Sequence, residues 1–255
     1  MTFRSALLVF LAALLVILTM LVTIGPAFAQ DDGGANPYDD GLDDEREAQY
    51  GGALLQVGGV FFDFDRINST LKKWGYPEFD GNFTTLGFES HYRRGNIRSD
   101  LLVPLFIRET DSSARFKSAM MGGAIIGHVG FNMVPPTVFN CYPMIGMGYG
   151  WLQMSHTEKG GNSVEVAHTS TRRVLNMTAH NFILDAGAVL DVTIPTFNRK
   201  GRQEHFVLAA RGGYMWTPAA ADWRSGAFNV SGGPEFHMTG PYVIVGIGGD
   251  RETYD

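Results

Sequence analysis

The chain has a single cysteine, Cys141, so it can form no internal disulfide. An exported chain of 255 residues without a disulfide framework fits a bacterial envelope better than a eukaryotic extracellular space. Charge is also scarce, with Lys, Arg, Asp and Glu making up 18% of residues. Of the 20 Lys and Arg, only Arg4 and Arg46 precede residue 51, and of the 26 Asp and Glu eight do. Residues 51–255 therefore carry no net charge, which excludes the basic footprint of a nucleic-acid partner. No cluster of His, Cys and carboxylates has metal-ligand spacing. Gly146-Met-Gly148-Tyr-Gly150 lacks both the spacing and the following helix of a dinucleotide loop. Past residue 50, helical periodicity is nearly gone.

What is present begins with an export signal. Arg4 precedes an uncharged apolar run from Ala6 to Gly25, Gly25-Pro26 breaks it, and Ala27-Phe28-Ala29 offers small residues at the cleavage positions before Gln30. The run is also long enough for an anchor helix, but the proline and the A-x-A pattern favour cleavage after residue 29. Residues 30–50 then form an acidic leader: Asp31, Asp32, Asp39, Asp40, Asp43, Asp44, Glu45 and Glu47 face Arg46 alone. Such a segment buries too little to fold, and the calcium-loop pattern is missing from it. Four sequons, at Asn68, Asn82, Asn176 and Asn229, matter only in a glycosylating compartment.

From residue 51 onward the period is two. Leu86, Phe88 and Tyr92 fall on one face, and Thr85, Glu89, His91 and Arg93 on the other. Leu101, Val103, Leu105 and Ile107 oppose Arg98, Asp100 and Arg108. Asn176 to Ile194 repeats the design, its even positions apolar from Phe182 to Ile194 and its odd positions including Asn181, Asp185, Asp191 and Thr193. The alternation predicts strands at 51–65, 83–94, 97–108, 114–131, 139–156, 174–194, 203–216 and 240–250. Long connections at 66–82, 157–173 and 217–239 alternate with short ones, the sorting expected of an outer-membrane barrel with a periplasmic N-terminus. The connection between the third and fourth strands is short and breaks the pattern.

Alternation alone does not say which face meets lipid. A soluble barrel of the lipocalin kind puts apolar residues inside, where they form a cavity for a small apolar ligand, and this remains the alternative. Gly146, Gly148 and Gly150 share a face opposite Ile145, Met147, Tyr149 and Trp151, and Gly246 and Gly248 lie beside Val243, Val245 and Ile247. An inward glycine face leaves room for bulky polar neighbours, so the apolar face is assigned to lipid. Tyr92, Trp151, Tyr214, Trp216 and Tyr242 are read as interfacial girdles. Glu89, His91, Arg93, Asp185, Asp191 and Arg211 then form an interior polar cluster, paired because unpaired buried charge is costly.

The segment Phe64-x-x-Ile67-Asn68-x-x-Leu71-x-x-x-Gly75-Tyr76-Pro77-x-Phe79, followed by an alternating strand, resembles a pattern of uncharacterised small bacterial outer-membrane barrels, porin-like or of the OmpA-like eight-stranded kind. The detailed similarity covers residues 62–92. It implies a compartment and a fold and carries no known site. Within the segment, Asn68 or Ser69 could cap a short helix through Trp74, although a well-capped loop is the preferred reading. The C-terminal aromatic of many such barrels is displaced here, Tyr254 being penultimate.

The expectation is thus an all-β fold: one antiparallel up-and-down transmembrane barrel of eight to ten strands spanning 51–255, with a structural or surface-interaction role. Its partners would be outer-membrane lipid and a surface partner met through the long loops. Neither a cofactor nor a metal is expected. A lipid-modifying enzyme is the second alternative, with Ser and His at His168-Thr169-Ser170, Ser155-His156 or Ser90-His91. His168-x-Ser170 resembles part of a lipid A deacylase motif, whose setting would be a strand, whereas this one falls in a loop. No catalytic residue is assigned.

Overall fold

The computed structural model describes residues 48–110, 116–133, 138–159, 174–199, 202–225, 228–229 and 233–254. The export signal, most of the acidic leader and His168-Thr169-Ser170 lie outside them.

Eight long antiparallel strands close on themselves: β1 (Ala48–Phe61), β2 (Asn82–Arg94), β3 (Ile97–Thr110), β4 (Phe116–Phe131), β5 (Phe139–Glu158), β6 (Val174–Arg199), β7 (Arg202–Trp216) and β10 (Gly240–Tyr254). Each pairs with its sequence neighbours, β7 pairs with β10, and β1 with β10 completes the ring. Two short strands, β8 (Trp223–Ser225) and β9 (Phe228–Asn229), extend the sheet beside β6. The fold is the expected eight-stranded antiparallel barrel.

The expected strand bounds shift for identifiable reasons. β6 runs through Pro195 to Arg199 instead of stopping at Ile194, because a register shift between Pro195 and Phe197 accommodates a residue with no N–H to donate. β1 stops at Phe61, four residues early, where the chain turns into a helix, α1 (Asp65–Lys73). The helix replaces the expected loop. Ile67 and Leu71 stand four apart and bury together, Asp65 occupies the first turn, and Lys72 and Lys73 occupy the last, matching the helix dipole. Gly75 (φ 77°) ends it, with Tyr76 N–H donating to Leu71 O at 2.9 Å and Gly75 N–H to Lys72 O at 3.1 Å.

Asn68 does not cap this helix. Its amide donates to Phe79 O at 2.6 Å and accepts from Phe79 N–H at 2.8 Å, clasping the returning chain. A glycan at that sequon would break the clasp. At the other end of the barrel, Gly95 (φ 53°) and Asn96 make the two-residue turn between β2 and β3.

The faces follow the alternation. Leu55, Val57, Leu86, Ile125, Val243, Val245 and Ile247 are exposed on the outer surface, and Ile145 there is 72% exposed. Tyr92, Phe131 and Phe139 project outward near the short turns, and Phe61, Tyr149, Tyr214 and Trp216 project outward nearer the long connections. Tyr92 lies opposite Gly51, ten residues along β1 from Phe61. At about 3.4 Å per residue and a tilt of about 40°, these aromatics stand roughly 25 Å apart, the height of an outer-membrane apolar band. Tyr242 is an exception to the expected girdle. It shares the inward parity of Ile244 and Gly246, and it is buried.

Candidate functional site

The lumen is divided into two halves. Near the short turns it is charged; under the long connections it is apolar. A uniformly polar interior was expected, and half of it is not. The apolar half contains Val60, Phe83, Phe106, Met120, Ile126, Leu152, Met154, Met177 and Ile183 from the strands. Phe62, Phe64 and Phe79 from the first connection fold in from above, as do Trp223, Phe236 and Met238 from the last. Phe236 meets Phe62 edge-on (6.3 Å) and Phe64 (5.5 Å), and Trp223 packs beside it. Arg66 of α1 pairs with Glu235. Two connections far apart in sequence thus form one plug.

The charged half is a continuous network. Arg98 donates to Glu89 at 2.5 Å and to Asp191 at 2.6 Å. Arg211 donates to Glu89 at 3.1 Å and also to Asp100. His128 bridges Asp100 (2.7 Å) and Asp185 (3.0 Å). The Tyr242 hydroxyl donates to Asp185 at 3.0 Å, Gln56 to Glu89 at 2.5 Å, and Asn140 to Asp191 at 2.8 Å. Nearer the turns, Arg93 donates to Tyr142 at 3.0 Å and lies over the Tyr50 ring, while His91 meets Asp250. Arg98 is 2% exposed, and every carboxylate named here is buried. Truncating a charged member leaves its buried partners short of compensating charge, at a cost of up to about 3–5 kcal/mol.

The structure joins Glu89, Asp185, Asp191 and Arg211 in this network and places His91 and Arg93 at its turn-side edge. Sequence reasoning left out Asp100, Arg98, His128, Gln56, Asn140 and Asp250. Arg98 and Asp100 carried a signal, standing on the polar face of β3. His128 carried a weaker one: it follows Ala124 and Ile126 at inward positions in a run that otherwise reads as apolar.

Glycine makes room for these groups. A Cβ at Gly146 would strike the His128 ring, and one at Gly150 would lie 2.6 Å from Ile183 Cδ1 and 2.8 Å from Met238 Sδ. Between the two halves a void of about 10 Å³ remains, bordered by Thr85, Asp185 and Tyr242 among apolar neighbours. That is room for no more than one water.

The proposed catalytic pairs Ser155-His156 and Ser90-His91 come apart, because adjacent strand residues point to opposite faces. His156 and His91 are buried inside, and neither adjacent serine is. The neighbour of His156 is Ser118 across the strand, whose Oγ lies 2.8 Å from Nδ1. The rings of Tyr76 (5.0 Å) and Phe79 (4.8 Å) cover the imidazole. Among the described residues no group of three or more His, Cys, Asp or Glu is arranged to hold a metal.

No protein-family model and no curated protein matches the chain. Among solved structures, Ail, the attachment invasion locus protein of Yersinia pestis, is 12% identical over 81% of this chain and 99% of its own, with a TM-score of 0.40. A major outer membrane protein from Thermus thermophilus is 11% identical over 81% and 99%, TM-score 0.38. The outer membrane protein OprG from Pseudomonas aeruginosa is 11% identical over 82% and 97%, TM-score 0.35. At these scores the likeness has no bearing on the chain's activity.

Proposed function

We propose that this chain is an outer-membrane barrel, exported by a cleaved signal peptide, with a structural or surface-interaction role and no catalytic site. The observation that carries this reading is the inverted polarity of the barrel: an ion-paired network lines half of its interior while Leu55, Val57, Val245, Ile145 and Met147 cover its outside. Water is a poor solvent for that exterior, and lipid is a good one. Polar pairs mark where the band ends: Tyr149 with His180 at 2.6 Å and Gln153 with Asn176 at 3.1 Å stand on the outer face toward the long connections. A soluble ligand carrier would need an open apolar cavity, and the apolar half of the lumen is packed with side chains. The plug argues against a wide pore and leaves the connections at 62–81 and 217–239 as the surface a partner would meet.

Fractionation of cells expressing the full chain tests this, with the membrane pellet run boiled and unboiled on a gel. Recovery in the outer membrane with heat-dependent mobility supports the reading. A detergent-independent soluble protein overturns it.

A further inference from the structure

The apolar half of the lumen contains a row of sulfur atoms. Met120 of β4 stands directly opposite Met154 of β5, and Met154 directly opposite Met177 of β6. All three are buried inside the barrel. Opposed positions keep Cβ atoms about 4.5–5.5 Å apart, close enough for three flexible thioether chains to converge on one point. The next inward row on β4 and β5 is Ser118 opposite His156.

His156 supplies an independent observation. It is fully buried, and its Nε2 has no hydrogen-bond partner. Leaving a buried ring nitrogen unpaired costs about 1–3 kcal/mol. With Nδ1–H donated to Ser118 Oγ, Nε2 keeps a free lone pair, the state in which an imidazole binds metal while an oxygen fixes its other nitrogen. Packing alone accounts for methionines in a core. It does not account for an imidazole placed there with an unused nitrogen.

We propose that Met120, Met154, Met177 and His156 form a binding site for a soft monovalent cation, Cu(I), for which Ag(I) is the redox-stable probe. Thioether and imidazole donors are soft and select Cu(I) over Ca²⁺ or Mg²⁺. All four are neutral, so a single positive charge is the most they can hold in dry surroundings. The buried carboxylates of the ion-paired network sit in the other half. This inference does not depend on the proposed compartment, since it uses only the interior of the barrel.

Titration of the folded full chain in detergent micelles with Ag(I), in competition with a chromophoric chelator, is the test. One ion per barrel is expected. Met154→Leu, a volume-conserving change, should weaken binding by about tenfold or more, and His156→Phe should do the same. Met144→Leu, in the charged half, and Cys141→Ser should leave binding unchanged. Heat-dependent gel mobility, retained in each variant, separates a lost site from a lost fold, and Met177→Leu serves if His156→Phe does not fold. No silver uptake by the native chain, uptake unchanged in Met154→Leu and Met177→Leu, or uptake abolished in Cys141→Ser each overturns the proposal.

Discussion

Asp100 and Arg211 stand on strands diametrically opposed in the barrel, four steps apart in either direction, and their carboxylate and guanidinium meet across the lumen. No backbone pairing links β3 to β7. The ion pair therefore ties opposite walls together, and Arg211 extends the tie to Glu89 on β2.

Removing that tie should be costly. Arg211→Leu is expected to lower stability by about 3–5 kcal/mol, because Asp100 and Glu89 stay buried with chiefly His128 and Arg98 left to pair with them. Arg211→Lys should recover only part, since an ammonium could replace the one nitrogen that serves both carboxylates but not the second, which lies 3.1 Å from His128. Adding Asp100→Leu to Arg211→Leu should restore some of the loss, a non-additivity readable from urea unfolding in lipid vesicles.

The lipid band predicts a depth profile. Val245, half-exposed and opposite Val57 near the middle of the band, should cost about 2–4 kcal/mol on change to Arg. Asn176→Arg, beyond the outer aromatics, should cost under about 1 kcal/mol. The same unfolding measurement in vesicles decides it. Equal costs at both positions would mean that the outer surface faces water.

The plug should loosen independently of the barrel. Phe236→Ala deletes a ring packed against Phe62, Phe64 and Trp223, at a local cost of about 3–5 kcal/mol. Limited proteolysis should then cut within 62–81 while heat-dependent mobility persists. Loss of both together would show that plug and barrel unfold as one unit.

Asn68→Ala should have a milder form of the same effect. It removes two hydrogen bonds to the Phe79 backbone, worth about 1–3 kcal/mol together, and frees the C-terminal side of α1. Backbone hydrogen exchange at Phe79 should rise, with the network around Glu89 undisturbed.

Much of the barrel was legible because strand alternation is local. Phe182 to Ile194 tells by itself which residues share a face, and the inward glycines of β5 beside Ile145 and Met147 point to which face meets lipid. The helix was half-legible: Gly75 marked its end, but its start hid behind the alternation running through Phe62 and Phe64. Tyr242 was misplaced because an aromatic near a strand end reads as a girdle residue, although its parity with Gly246 already placed it inside.

The sequence by itself determined the period, the faces and the residues available for an interior network, since each depends only on a side chain and its neighbours two positions away. The tertiary structure decided depth. Closing eight strands with a fixed stagger sets which inward residues share a level, so it brings Asp100 to Arg211, His128 between two aspartates, and Met120, Met154 and Met177 into one row. It also folds two distant connections into one plug. No local pattern encodes such meetings, because they depend on the register of every strand around the ring at once.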